Sequence, residues 1–273
     1  MIENDSLTSS VFILTGQSNA LGTTCLEGLD YGPGLCATDG ETQLFWSNVN
    51  AANMGYPPLL YGSSEGRFLP LQMQQGEGDD PHFWGPEFGF ARAMHDAGWR
   101  RLLIIKACRG GGGNTYWNRQ TCLEDAARGH MWGHLRGVIE QSLDSLSESG
   151  EKCLVRGFIY LQGESNNSHE ADVAGERLGE LIDDLKVWLD NRFPNVASEM
   201  QSAVAEIAAS KSNPDRAETF RQHESLARDK EDLSFVATHD LALKSDAIHF
   251  GREAKLEIGR RLALAFINSL QLP

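Results

Sequence analysis

Three side chains have the types and the spacing that nucleophilic catalysis requires. Ser18 follows the apolar, β-branched segment 11–14, and reactive side chains in α/β proteins stand at such strand ends. Asp246 and His249 are three residues apart, so the carboxylate can orient the imidazole as the base that a serine nucleophile needs. The alternative is structural: Ser18 or Asn19 caps a helix, and the Asp246–His249 pair begins another helix.

Two more turns could complete the same site. A strand predicted over 101–107 ends at Arg109 and the glycine run 110–113, and a strand predicted over 154–161 ends at residues 162–164. In a parallel sheet the carboxyl ends of the strands lie along one edge. We therefore expect the three polar turns to converge on one crevice.

Backbone N–H groups at these turns are candidate donors to the oxyanion that forms when a serine attacks an ester. Ser18 supplies one such group. Gly111 and Gly112 are the preferred candidates in the glycine run, because glycine lets the backbone approach a substrate closely. The run could instead be a flexible loop without a ligand. A phosphate-binding P-loop is excluded, since no Gly-Lys-Ser/Thr sequence ends the run.

The rest of the pattern predicts an α/β protein in which strands alternate with helices. Residue spacing indicates helices over 86–95, 130–147, 172–192 and 253–270, and further strands over 196–209 and 235–238. No linker or internal repeat interrupts the pattern, so we expect residues 1–273 to form one domain around a parallel sheet covered on both faces. The long irregular stretch 22–85 is typical of a lid or a binding wall.

Composition narrows the class of partner. The chain has 273 residues, 41% of them apolar, and a formal net charge of −14, which argues against binding to nucleic acid or to an anionic membrane surface. No segment approaches the roughly twenty apolar residues that cross a bilayer.

The histidines and the five cysteines lack metal-ligand spacing, so we expect no metal and no cofactor. Scattered cysteines favour the cytoplasm, with secretion as the alternative if a signal peptide has been removed.

Five motifs follow one another along the chain: Gly16-Gln17-Ser18-Asn19, Gly85-Pro86-Glu87, Arg109 with its glycine run, Gln162-Gly163-Glu164 and Asp246-x-x-His249. Together they resemble the motif blocks of the SGNH hydrolases. They are most similar to the branch that holds the carbohydrate esterase family 6 acetylxylan esterases and the sialate O-acetylesterase domain. The resemblance implies a flavodoxin-like, three-layer α/β/α sandwich, and a serine esterase that removes acetyl groups from carbohydrate.

The resemblance also implies a role for each matching residue. Ser18 would be the nucleophile, His249 the base and then the acid, and Asp246 the group that orients His249. The standard SGNH pattern has an asparagine that donates to the oxyanion, and this chain has Gln162 in the matching turn, which makes Gln162 a further candidate donor. Glu164 either shares the acidic role with Asp246, binds a sugar hydroxyl, or is a loop carboxylate paired with Arg109 or another basic side chain.

Aromatic side chains in the loops are candidates for stacking on a sugar ring. Tyr116 and Trp117 lie next to the glycine run and are the first choice, although loop aromatics also fill surface cores. Gln17, Asn19 and Arg109 complete the set of candidate substrate-binding residues, with loop bridging as the alternative for Arg109.

The leading hypothesis is a metal-independent serine esterase that acts on an acetylated carbohydrate through an acyl-serine. Two alternatives keep the scaffold and change the activity. One is a carbohydrate-binding protein that has lost its chemistry, and the other is an O-acyltransferase in which a sugar hydroxyl replaces water. The presence of Ser18, Asp246 and His249 together favours the hydrolase over the binding protein.

Overall fold

The computed structural model describes residues 8–22, 32–53, 55–75 and 83–270. An eight-stranded sheet has the order β3-β2-β5-β1-β6-β7-β8, with β4 paired to β2. Among the described strands, β3 and β4 run antiparallel to β2, and the other six are parallel. The strands are β1 (Ser9–Gly16), β2 (Gln43–Val49), β3 (Leu60–Ser63), β4 (Leu69–Pro70), β5 (Leu102–Cys108), β6 (Cys153–Leu161), β7 (Gln201–Ala205) and β8 (Leu233–Val236).

Helices cover both faces of this sheet. The helices are α1 (Ser18–Leu21), α2 (Glu87–Asp96), α3 (Arg119–Glu124), α4 (His130–Glu148), α5 (Ser168–Asp172), α6 (Ala174–Arg192), α7 (Pro214–Asp229) and α8 (Arg252–Ser269). Apolar side chains of α2 and α8 share one core cluster with Phe12 and Leu14. Those of α4 and α6 share the other with Val11 and Ile13. The predicted three-layer α/β/α sandwich is confirmed.

The central strand, β1, explains how the polar turns come together. All eight of its residues are buried, and successive side chains enter opposite layers, which is why the segment is a continuous apolar run. β1 pairs with β5 on one side and with β6 on the other, so that Gly16 lies in register with both Cys108 and Leu161. The turns that follow these three strands therefore start side by side.

Most predicted elements are found with small shifts at their ends. The helix predicted over 130–147 is α4, and the strand predicted over 154–161 is β6. The strand predicted over 196–209 is limited to β7. The prediction missed α7, in which Thr219 and His223 are the buried residues, because a largely polar helix shows no apolar period.

The prediction also missed three strands in the stretch 22–85. β2 is one of them, and its central residues Leu44, Phe45 and Trp46 are all buried, so it lacks the alternation that marks a half-exposed strand. Residues 23–31, 54 and 76–82 of this stretch lie outside the described residues. The expected lid or binding wall is therefore described only in part. None of the helices described here is long and apolar enough to span a membrane.

Candidate active site

The turn that carries Ser18 begins where β1 ends. Gly16 has a φ of 148°, and a Cβ atom added there would lie 2.0 Å from the carbonyl oxygen of Leu161, so glycine is required for β1 and β6 to approach this closely. The backbone N–H of Gln17 donates to the same oxygen at 2.9 Å. The chain then enters α1, a single helical turn whose first residue is Ser18.

Ser18, His249 and Asp246 form a continuous chain of hydrogen bonds. Oγ of Ser18 lies 2.9 Å from Nε2 of His249, and Nδ1 of His249 lies 2.7 Å from Oδ2 of Asp246. Oδ1 of Asp246 accepts the backbone N–H groups of Ile248 and His249 at 2.8 and 2.9 Å. Because a carboxylate accepts at Nδ1, the neutral imidazole carries its proton there and presents the lone pair of Nε2 to the serine hydroxyl.

The surroundings of Asp246 keep its carboxyl group ionised. Partial burial raises the pKa of Asp246, but the hydrogen bonds from the backbone and the imidazole of His249, and from the N–H of Ile248, outweigh burial and lower this pKa to about 2. The side chains of His249 and Asp246 are 23% and 34% exposed, whereas Ser18 is 8% exposed. The histidine and the aspartate therefore stand at the rim, and the serine lies inside.

Asn19 joins the serine turn to the loop that carries His249. Its Nδ2 donates to the carbonyl oxygen of Ile248 at 3.1 Å, and its Oδ1 accepts the backbone N–H of Phe250 at 3.1 Å. These two groups flank His249 on either side. Nδ2 of Asn19 also donates to Oε1 of Glu164 at 2.7 Å. Asn19 is itself buried, and its hydrogen bonds favour a role in holding the histidine loop over the expected contact with substrate.

Glu164 lies behind this bridge and makes no hydrogen bond to His249 or Arg109. Its Oε1 accepts from Asn19 and from the backbone N–H of Ala208, the latter at 3.2 Å. Its Oε2 is buried and has no hydrogen-bond partner within the described part of the chain. Burial raises the pKa of Glu164, although the bond from Asn19 acts in the opposite direction. The structure therefore places Glu164 against Asn19, not beside the imidazole.

Arg109 braces the turn formed by the glycine run 110–113, called the glycine turn below, from inside the protein. Its Nη1 donates to the carbonyl oxygens of Gly110 and Gly111, and its Nη2 donates to those of Ala51 and Asn53. Its Nε donates to Nε2 of a buried histidine, His130, at 3.1 Å. A guanidinium has five N–H donors, and all five are engaged here, which favours loop bridging over the expected substrate binding by Arg109.

This bracing leaves two backbone donors available in the glycine turn. Gly111 and Gly112 have φ values of 61° and 91°, which glycine adopts without strain. Peptides are planar and trans, so the N–H groups of Gly111 and Gly112 point away from the carbonyl oxygens of Gly110 and Gly111 that bind Arg109. Neither N–H group has a hydrogen-bond partner among the described residues.

Gln162 supports the same turn and is fully buried. Its Nε2 donates to the carbonyl oxygen of Gly112 at 3.2 Å and to Oδ1 of Asn166 at 2.8 Å, and its Oε1 accepts from Tyr160. Because both amide N–H groups of Gln162 have acceptors, these contacts favour support of Gly112 over the expected donation to the oxyanion.

Two residues of this support were missed by the sequence analysis. Asn166 also accepts the backbone N–H of Asn114 at 3.0 Å, and Glu170 accepts that of Thr115 at 3.3 Å. A Cβ atom on Gly113 would lie 1.9 Å from the carboxylate of Glu170. The capping-box spacing that places Glu170 three residues after Asn167 could have located this helix start.

The remaining substrate-binding candidates differ in access. Trp117 is 1% exposed, and its indole N–H donates to Oγ1 of Thr15, which favours the core-filling alternative over the expected substrate contact. Gln17 is also buried. Its Nε2 donates to Oγ of Ser165, and its Oε1 accepts the backbone N–H groups of Gly163 and Ser165, which favours a structural role for Gln17 over the expected substrate contact. Tyr116 is half-buried and lies over the guanidinium of Arg109, 4.2 Å from ring centroid to Cζ. Of this group, Tyr116 keeps an exposed surface.

Comparison with known families decides the class of the protein. The model of the family described as "Carbohydrate esterase, sialic acid-specific acetylesterase" matches residues 8–268. The chain belongs to this family. The resemblance inferred from the motifs is thereby confirmed, and the protein is a carbohydrate esterase, a carboxylic ester hydrolase of the kind that removes O-acetyl groups from carbohydrate.

Solved structures share the fold of this esterase. A protein of Arabidopsis thaliana aligns with a TM-score of 0.67 at 19% identity, over 96% of this chain and 98% of that one. NanS aligns with a TM-score of 0.62 at 14% identity, over 96% and 97% of the two chains. A carbohydrate acetylesterase from Xanthomonas citri aligns with a TM-score of 0.61 at 16% identity, over 95% of this chain and 56% of that one. Comparison with curated protein sequences returned no match.

The described part of this esterase has many histidine, cysteine and carboxylate side chains, but they are scattered. No three side chains of histidine, cysteine, aspartate or glutamate converge there in a way that could hold a metal ion. The reactive groups that do converge in the described residues are the serine, imidazole and carboxylate at the carboxyl edge of the sheet. This arrangement can activate a hydroxyl group for attack on a carbonyl carbon.

Proposed function

We propose that this esterase deacetylates its substrate through an acetyl-Ser18 intermediate, with His249 as the base and then the acid, and with Asp246 orienting His249. The observation that carries the proposal is the pair of hydrogen bonds, 2.9 Å from Ser18 to His249 and 2.7 Å from His249 to Asp246. Both distances lie within the reach that proton transfer requires.

In the first half of the reaction, Oγ of Ser18 attacks the acetyl carbonyl carbon while its proton moves to Nε2 of His249. The positive charge of the imidazolium is then balanced by the Asp246 carboxylate, which stays ionised. The tetrahedral intermediate collapses when the bond between carbon and sugar oxygen breaks and His249 returns the proton to that oxygen. The sugar leaves with a free hydroxyl group.

The oxyanion of this intermediate requires donors that are already in place. We assign that role to the backbone N–H of Ser18, at the start of α1, and to the N–H groups of Gly111 and Gly112. The two glycine N–H groups are unpaired in the described residues, and Arg109 and Gln162 fix the carbonyl groups around them. In the second half, water activated by His249 attacks the acetyl-serine, and acetate is released.

The substrate class follows from the family. We propose an O-acetylated sialic acid as the leading substrate, because the matching family is described as sialic acid-specific, and acetylated xylan fragments as the second candidate. Tyr116 is the proposed contact for the sugar, since it borders the glycine turn and keeps exposed surface. Release of acetate from a panel of acetylated sialic acids, xylan fragments and simple sugars ranks these candidates.

Ser18→Ala tests the mechanism. We expect turnover of an aryl acetate to fall by about 10⁶-fold while the fold survives, because the variant loses the nucleophile and leaves only the binding and oxyanion contributions. Ser198→Ala, at an exposed serine far along the chain, is the matched control and keeps wild-type activity. Turnover that persists in Ser18→Ala would contradict the proposal.

The two alternatives predict different outcomes in the same experiments. A binding protein on this scaffold would bind glycans and hydrolyse no acetyl ester at all. An acyltransferase would form acetyl-Ser18 and pass the acetyl group to an added sugar, so that product analysis finds a new acetylated sugar in place of acetate.

We also propose that residues 1–273 act as one domain in the reducing cytoplasm and bind no nucleic acid. Strands from β1 to β8 belong to one sheet, and α8 packs against α2, which supports a single unit.

The described cysteines are free thiols, and burial raises the pKa of Cys108 to about 12. The net charge of −14 disfavours phosphate backbones. Cell fractionation of the tagged protein tests the compartment.

A further inference from the structure

A buried ion pair lies beneath the helix turn that begins with Ser18. Nζ of Lys106 is 2.9 Å from Oε1 of Glu87, and both side chains are fully buried. Lys106 belongs to β5 and stands in register with Leu14 of β1. Glu87 is the first residue of α2. The catalytic steps proposed above use neither charge.

The lysine reaches the far end of α1. Besides Glu87, Nζ of Lys106 donates to the carbonyl oxygen of Leu21, the last residue of α1, at 2.9 Å. Glu87 in turn accepts at Oε1 the backbone N–H of Gly85 and Nε2 of Gln74, at 2.9 and 2.7 Å. The pair thus connects β5, α2 and the segment before α2 to one carbonyl group of α1.

α1 needs such an anchor. A helix of four residues is far shorter than one that is stable by itself, and its final carbonyl groups have no partner within the helix. A second buried lysine, Lys255, donates to the carbonyl oxygens of Gly22 and Trp84, at 3.4 and 3.1 Å. Two buried ammonium groups therefore hold the carboxyl end of α1, while Gln17 and Asn19 hold its amino end.

Stability alone does not explain a charged pair at this place. Taking two charges out of water is unfavourable, and buried ion pairs can often be replaced by apolar residues without loss of stability. Hydrogen bonds from charged groups depend on direction, so they fix one arrangement of the backbone. Apolar packing does not impose this constraint. Here the backbone so fixed is the turn that carries the Ser18 hydroxyl and N–H.

We propose that the Lys106–Glu87 pair positions the nucleophile, by anchoring the carboxyl end of α1 so that Oγ and N–H of Ser18 keep their places relative to His249 and the glycine turn. Lys106 and Glu87 are positioning residues, since they act through α1 and touch no substrate. The inference rests on the proposed role of Ser18 as nucleophile.

The test separates positioning from stability. Lys106→Met removes the anchor and leaves Glu87 as an unpaired buried charge, so we expect a lower melting temperature and a kcat roughly 10- to 100-fold lower, with KM changed less than about twofold. The double variant Lys106→Met with Glu87→Gln keeps an acceptor for Gly85 and Gln74 and removes both charges. We expect it to regain most of the melting temperature and to keep the low kcat.

Reaction of Ser18 with a fluorophosphonate gives a second readout, and its rate constant should fall together with kcat in both variants. His95→Leu is the matched control: it breaks a buried contact to Thr42, 3.0 Å long, at the other end of α2. We expect this control to lower the melting temperature and leave kcat unchanged.

A double variant with the melting temperature and the kcat of wild type would overturn the positioning role. This comparison can be made even if Lys106→Met alone does not fold. This result is distinct from failure of the proposed function. If Ser18→Ala keeps its activity, the nucleophile assignment is wrong. If Ser18→Ala is inactive while the double variant is fully active, only the positioning role is wrong.

Discussion

Ser18 and His249, the two partners of the proposed proton transfer, are held in place by different kinds of contact. Ser18 sits on a buried turn, where Gln17, Asn19 and the carbonyl group of Leu21 each bind buried groups from other elements. His249 sits on an irregular loop near the surface. Its imidazole is held by Asp246, three residues earlier in the same loop.

This difference matches what each partner has to do. In the proposed mechanism, the serine turn supplies both the nucleophile and an oxyanion donor, whose positions must agree closely with the glycine turn, because small displacements lower the rate steeply. The same mechanism requires His249 to take a proton from Ser18 and later deliver it to the leaving oxygen, so the imidazole needs the right tautomer and a small range of movement. Asn19 is the link that keeps the loop in register with the turn.

Asp246→Asn should have the largest effect among the supporting residues. An asparagine can donate to Nδ1 and so stabilise the wrong tautomer of His249, and we expect kcat to fall by about 10⁴-fold with little change in KM. The pH profile of kcat/KM checks the assignment in wild type. Since the pKa of Asp246 is lowered to about 2, its carboxylate stays ionised above that pH, and an acid limb above pH 4 (roughly the ordinary aspartate pKa) must come from another group. A variant with near-normal kcat would show that Asp246 does not orient the base.

Asn19→Ala should have the second largest effect, because it frees the histidine loop from the serine turn without touching either reacting group. The backbone groups of Ile248 and Phe250 lose their partner, and we expect kcat to fall by about 10²-fold. Steady-state kinetics at a temperature where the variant is fully folded by circular dichroism measure this. A change in KM alone would instead place Asn19 at the substrate.

The contrast between turn and loop also explains which parts of the site were predictable from sequence. Ser18, Asp246 and His249 could be chosen as candidates because the proposed roles depend on residue type and on short spacing, and because a parallel sheet brings strand ends together. The strands β1, β5 and β6 are recognisable from buried apolar runs.

The candidates whose contacts favour a structural role over substrate binding share a different property. Arg109 and Trp117 have side chains typical of substrate binding, but their roles depend on how deeply the glycine turn packs against α4 and β1. Burial of this kind is set by tertiary contacts, which local spacing does not encode. The same reason applies to α7, whose polar sequence becomes a helix through its packing on α6 and β8.

Glu164→Gln should have the smallest effect on activity and sharpens the comparison most directly. Asn19 and Ala208 bind Oε1 of Glu164, and a glutamine oxygen can accept the same two N–H groups. We expect kcat to stay within about threefold of wild type, in contrast to Asp246→Asn. A loss near 10⁴-fold would instead make Glu164 a second acid of the catalytic set.

The stability of Glu164→Gln gives a second readout that is independent of activity. The direction in which its stability relative to wild type changes with pH can be predicted. Burial raises the pKa of Glu164 above its ordinary value of 4.5, so the native state holds this proton more tightly than the unfolded chain does. The contribution of Glu164 to stability is therefore fully present below pH 4.5 and is lost as the pH rises through the higher native pKa. The glutamine variant has no such loss. Urea unfolding should show that the variant gains stability relative to wild type between pH 4 and pH 8, and a constant difference across this range would mean that Glu164 is not buried as an acid.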